Sequence, residues 1–288
     1  SVTNVTPSTV TNSDAAWTPG QLSSATSPVA IEFTSGQAAG LTLLLSTNTP
    51  NTADTVTLDP TETVSTDLVA LGGAPGDKYR ILQCETLLSL FGTPNDPEGL
   101  GVVGGTSANN SDNVVMETNG NQASYFFHTG LGRWVKNTLG FPDASNERIH
   151  PSSGILYSRL GNSPVRIPIS GTVPEFSRLS KVKNSSVNLI SNNIPVDNTL
   201  SNLNLELLPG WVSDSAPQSS SIAKIMISGN WQSYWYDGEN WRQAALGFPI
   251  RNNAIIPAGS SVVIKLSGQP NTYDIVQHEL PYTLNPVQ

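Results

Sequence analysis

Charge is scarce in this chain. Asp, Glu, Lys and Arg together make up 12% of its 288 residues, against about 25% in an ordinary soluble domain. Cations are the rarer kind: 14 Lys and Arg stand against 22 Asp and Glu, for a net charge of -8. No basic run occurs, which excludes nucleic-acid binding, since phosphates demand clustered Lys and Arg. Cysteine is absent but for Cys84, so no internal disulfide can form. The apolar neighbours of Cys84 in YRILQCETLLSLFG make it a buried, inert thiol rather than a nucleophile. No apolar run approaches the roughly 20 residues of a membrane helix, and membrane insertion is not expected. No signal-peptide pattern is visible. The chain opens on SVTNVTPSTVTN without Met, as expected of a processed, mature protein or of a chain that begins late.

What fills the space is Thr, Ser, Asn, Gly and Pro, a mixture that suits short strands and tight turns better than helices. A hydrophobic fraction of 37% argues against disorder. The length allows two or three domains.

One phrase occurs twice. Residues 125–142 read YFFHTGLGRWVKNTLGFP and residues 234–249 read YWYDGENWRQAALGFP. Trp134 and Trp241 are 107 positions apart, as are Phe141 and Phe248. Flanking landmarks extend the match through Ile149/Ile256, Pro151/Pro257 and Gly154/Gly259. Upstream, ETLLSLFG (85–92) echoes NTLSNLNL (198–205). The expectation is a tandem duplication covering 83–175 and 176–288. Within each copy the period is two, as in SVVIKLS and GILYSRL. SYWYDGENWRQ reads as a hairpin about an Asp-Gly turn, and ETLLSLFG as about two helical turns capped by Gly92. Each copy is predicted to be an antiparallel β-sandwich or barrel. Residues 1–82 follow a strand, Gly-turn, strand grammar and are predicted to form a small β-barrel-like domain. Their first sixteen residues place Val2, Val5 and Val10 among Thr and Ser with no evident partner. They are expected to form an edge strand or an arm that pairs elsewhere, and the three valines are candidates for an inter-subunit strand, donated by β-augmentation.

The stretches EFTSGQAAGLTLLLSTNTPNTADTVTL and GDKYRILQCETLLSLFG, the aromatic phrase ending in IHPSSGILYSR, and its second copy together resemble an uncharacterised family of secreted proteins from Verrucomicrobia and related bacteria. The resemblance covers nearly the whole chain. It implies secretion to the medium or cell surface and a β-rich build, and it brings no enzymatic activity.

Tyr125, Trp134, Tyr234, Trp235 and Trp241 could form a carbohydrate platform or a core. Alternation puts Tyr234 and Trp235 on opposite faces, and Phe126 and Phe127 replace Trp235 and Tyr236 in the first copy. Both facts favour packing. Three histidines, His128, His150 and His278, stand in unrelated contexts, and no HExxH, GxSxG or Cys-His pairing exists. No catalytic residue and no cofactor are expected. TPNDPEGLG (93–101) and YDGENW (236–241) cluster oxygen ligands that a structural calcium would accept, but ordinary turn chemistry explains both. GAPGDKYRIL lacks the phosphate-loop pattern and reads as a turn. The sequence thus points to a non-enzymatic extracellular structural protein, a self-assembling subunit of a filament, layer or matrix. The alternative is a secreted polysaccharide-binding module.

Overall fold

The computed structural model describes residues 1–63, 67–96, 99–118, 121–161, 167, 173–192, 194–268 and 272–283. Strand accounts for 36% of the described residues and helix for 5%, so the fold is nearly all β. Six antiparallel sheets form among the described residues. None closes into a barrel, so the expected barrels are open sheets.

Residues 1–83 carry β1 (Asn4–Val5), β2 (Thr9–Thr11), β3 (Val29–Phe33), β4 (Thr42–Leu44), β5 (Thr55–Thr57) and β6 (Tyr79–Gln83). They make two three-stranded sheets, ordered β1-β2-β5 and β4-β3-β6. A bridge between Leu45 and Leu58 joins the sheets at one side. At the other side, Val2 N–H donates to Asp77 O and Gly76 N–H donates to Val2 O, each at 2.8 Å.

These bonds correct the reading of the N-terminus as an unpartnered arm. β2 is paired on both edges, with β1 and with β5. Val2 and Val10 are buried and Val5 packs against the same cluster, which also holds Ile31, Phe33 and Leu43. The partner at Gly76 and Asp77 is too far along the chain to show as a local hairpin.

The middle segment starts with α1 (Leu87–Phe91). Thr86 and Ser89 form a capping box, and Gly92 ends the helix at φ 67° with its N–H on Leu88 O. The helix is shorter than the two turns expected, and its buried Leu87 and Phe91 fix it to the core. β7 (Asn113–Thr118), β8 (Asn121–His128), β9 (Arg133–Lys136) and β10 (Ile155–Ser158) follow, in sheet order β10-β7-β8-β9.

The last segment holds β11 (Arg178–Lys183), β12 (Val187–Ser191), β13 (Asn198–Thr199), β14 (Ile222–Ile227), β15 (Asn230–Tyr236), β16 (Trp241–Gln243), β17 (Ile255–Ile256), β18 (Ser261–Lys265) and β19 (Tyr273–His278). Its main sheet runs β12-β18-β14-β15-β16, with β11-β19 and β13-β17 as separate pairs. Four strands, β18-β14-β15-β16, match β10-β7-β8-β9 in order.

The repeated phrase makes the same backbone bonds twice. Lys136 N–H donates to Pro142 O, and Gln243 N–H to Pro249 O. Ala144 N–H donates to Trp134 O, and Arg251 N–H to Trp241 O. The Val135–Asp143 bridge is repeated as Arg242–Ile250. In each copy the chain folds back after the Leu-Gly-Phe-Pro turn and occupies the outer edge of β9 or β16, which protects that edge from strand addition.

β11 crosses to the first segment. Leu179 N–H donates to Gly40 O at 3.1 Å, and a Cβ on Gly40 (φ +90°) would collide with the Ser177 carbonyl oxygen. Only glycine fits this crossing.

Candidate functional site

All five aromatic residues singled out in the phrase are buried. Trp134 and Trp235 are 0% exposed, Trp241 1%, Tyr125 and Tyr234 2%. A ring without a free face cannot stack on a sugar, so the platform reading of these five residues is corrected: they are core. Tyr125, Phe127 and Trp134 enter the cluster of the middle segment, and Tyr234 and Trp241 enter that of the last. Trp134 Nε1–H donates to Gly92 O at 2.8 Å, and Trp241 packs on Trp211 with ring centroids 5.1 Å apart. Burial, together with the nearby Glu147 carboxylate, pushes the Tyr125 phenol up.

The opposite face of the same strands is covered by the phrase's own end. Phe141 meets Phe126, and Phe248 meets Trp235, both edge to face. To reach there, Phe141 and Phe248 each adopt φ 46°, a left-handed conformation uncommon for a bulky residue. The turn also lifts one leucine wholly into solvent in each copy: Leu139 is 103% exposed and Leu246 104%.

A second feature has no counterpart in the repeat. Three buried carboxylates of the first segment, Glu32, Asp59 and Glu62, meet cationic groups carried largely by the later segments. Glu32 pairs with Arg80 and with Arg178. Arg148 donates to Asp59 Oδ2 at 2.6 Å and to Leu45 O at 2.9 Å. His150 Nε2 lies 3.4 Å from Glu62 Oε1, and Lys181 Nζ donates to Glu62 O at 2.6 Å. Burial alone would raise the Asp59 carboxyl, but the Thr61 bonds and the Arg148 guanidinium outweigh it and hold it below its ordinary value. Glu62 behaves alike: burial is outweighed by His150, Lys181 and the Leu44 N–H. Burial lowers Lys181, against the opposing pull of Glu62 and Glu117.

A cavity of about 70 Å³ lies at this joint. Glu62, Glu117, His150, Ser152, Lys181 and Tyr273 are among its walls, so all three segments contribute. Lys181 Nζ sits 4.6 Å from the Tyr273 ring centroid. The Tyr273 hydroxyl is buried with no hydrogen-bond partner among the described residues. Sequence reasoning missed this cluster because its members are spread from residue 32 to residue 273 and each sits in an unremarkable turn or strand.

The other singled-out groups serve locally. His128 Nδ1 accepts Leu131 N–H within its hairpin loop. His278 is fully buried, with Nε2 3.0 Å from Ser180 Oγ, and burial holds it down at about 4. In YDGENW, Asp237 takes the N–H groups of Glu239 and Asn240 and pairs with Arg242, which commits its oxygens to the turn. In TPNDPEGLG, Pro97 and Glu98 lie outside the described residues. Among the described residues no three His, Cys, Asp or Glu side chains gather as a metal site, and no helix is long and apolar enough to cross a membrane. No family model, curated protein or solved structure matches the chain.

Proposed function

We propose that this chain is an extracellular structural protein that associates with further copies of itself through its twin Leu-Gly-Phe-Pro turns. The observation that carries the reading is the pair of leucines, Leu139 and Leu246, held fully exposed by two turns of the same geometry. A single exposed leucine is ordinary. Two of them, each raised on a turn that places a phenylalanine at positive φ, give one chain two equivalent apolar contact points. Two contacts per subunit are what an extended assembly requires. The rest of the build suits such a role. The large aromatics go into cohesion, and the carboxylates of the first segment are tied to the later ones. The resemblance to secreted β-rich proteins agrees with an extracellular site of action. The polysaccharide reading has lost its five proposed contact rings and is not carried further.

The test is sedimentation velocity and negative-stain electron microscopy on the wild-type chain and on Leu139→Asp/Leu246→Asp. Concentration-dependent assembly of the wild type, abolished in the double variant, is expected. A wild type that stays a single chain at all concentrations would overturn self-association. Unchanged assembly in the variant would overturn the role of the turns.

A further inference from the structure

We propose that Ser152, His150 and Glu62 form an acyl-transfer site that hydrolyses short-chain carboxylic esters. This goes beyond the structural role and departs from the expectation, drawn from sequence, that the chain has no catalytic residue. Two donors converge on one ring nitrogen: the Ser152 backbone N–H is 3.1 Å from His150 Nδ1, and Ser152 Oγ is 2.8 Å from it. Nδ1 is therefore the lone-pair nitrogen, and the ring proton resides on Nε2. Nε2 faces Glu62 Oε1 at 3.4 Å. Hydroxyl, imidazole and carboxylate thus stand in the order that activates a nucleophile, with the two ring nitrogens exchanging their more usual duties.

A turn alone does not account for this set. The second copy builds the same turn without a histidine: Ser153 N–H donates to His150 O, and Ser260 N–H donates to Pro257 O. Pro257 thus occupies the place of His150, whereas the sequence landmarks set it against Pro151. Nor does the turn require a buried carboxylate from another segment on the far ring nitrogen. Glu62 is held ionised against its burial, as a group that must stabilise an imidazolium needs to be.

The chemistry follows from the arrangement. Ser152 Oγ bonds to the ester carbonyl carbon while its proton passes to His150 Nδ1. The tetrahedral intermediate collapses, the bond from carbonyl carbon to the alcohol oxygen breaks, and His150 returns the proton to that oxygen. Solvent water then attacks the acyl-serine, gives its proton to His150, and releases the acid as Ser152 regains its hydrogen. The N–H groups of Ser153 and Gly154 are engaged by His150 O and Leu189 O. Oxyanion charge therefore falls to Lys181 and Lys183, which line the same cavity. A cavity of about 70 Å³ has the volume of about two waters, which suits an acetyl group. Ser152 and His150 are the catalytic residues, and Glu62 is a positioning residue.

The experiment uses the full chain with p-nitrophenyl acetate and, separately, an alkyl fluorophosphonate. Phosphonylation of Ser152, located by peptide mass spectrometry, is expected. So is release of p-nitrophenolate that falls by about 10²-fold or more in Ser152→Ala and in His150→Gln, but not in Ser219→Ala. Glu62→Gln is expected to slow the reaction and to displace the acid limb of its rate–pH profile. An unlabelled Ser152 in the folded wild-type chain overturns the proposal without reference to any variant. Equal turnover by wild type and Ser152→Ala overturns it as well. Neither result bears on self-association, which is read by sedimentation.

Discussion

Phe248 stands edge-on to Trp235, with ring centroids 5.1 Å apart and planes at 88°. Phe141 repeats the contact on Phe126 at 5.7 Å and 87°. The end of the phrase thus roofs the outer face of the strand that begins it. Aromatic pairs of this geometry contribute about 0.5–1.5 kcal/mol beyond burial. Phe248→Ala is expected to destabilise the chain by about 1–2 kcal/mol and to shift Trp235 emission to the red. Denaturant melts and fluorescence of the same samples check both. An unmoved spectrum would mean that Trp235 does not depend on this roof.

Accessibility of the tryptophans gives a second check. Trp134, Trp235 and Trp241 are sealed, whereas Trp231 is 42% exposed. Acrylamide is expected to quench only a minor part of the emission, and Trp231→Phe should remove much of that part. Trp134→Ala, which loses the bond to Gly92 O and leaves a large void, should cost about 3–5 kcal/mol.

The joint predicts an asymmetric response to mutation. Arg148→Ala leaves the buried Asp59 carboxylate without its cation and should cost about 3 kcal/mol. Replacing both partners, Arg148→Met with Asp59→Leu, should recover most of that loss, because an apolar pair needs no desolvation of charge. A double-mutant cycle by chemical denaturation measures the coupling. Additive losses would show that the pair acts separately.

Acid sensitivity has a defined window. His278 has an ordinary value of 6.5 and is held at about 4 in the folded chain by burial. The unfolded chain therefore binds the extra proton first as pH falls. The stability tied to neutral His278 is complete above pH 6.5 and is lost progressively down to about 4, a loss of about 3 kcal/mol. His278→Gln, which keeps a polar partner for Ser180, should flatten the melting profile across this interval. The contributions of Asp59 and Glu62 run in the same direction but lower. Their folded values lie below the ordinary 3.8 and 4.5, so their loss follows at more acid pH.

Much of the architecture was legible because it is local. Alternating apolar residues, Asp-Gly and Gly-containing turns, and the capped ETLLSLFG helix each involve neighbours within a few residues. The repeat was legible too, because equal spacing from Trp to Phe forces equal hydrogen bonds, and the two copies make the same ones. The register beyond it was misjudged by one position at Pro151. Nearby prolines, Pro151 and Pro257, drew the alignment, while the backbone bonds pair His150 with Pro257. The N-terminal valines were misread for the reason that hides most β partners: Val2 is paired with Gly76 and Asp77, and nothing in SVTNVTPSTVTN names them.

The sequence by itself determined the all-β character, the duplicated phrase and the lack of disulfides, since composition, period two and residue counts are properties of the chain. Only the tertiary structure decided which aromatic faces are closed, that the first strands pair within the chain, and that Glu62 lies against His150. Those facts depend on contacts between segments tens of residues apart, and long-range pairing leaves no periodic trace in the residues that make it.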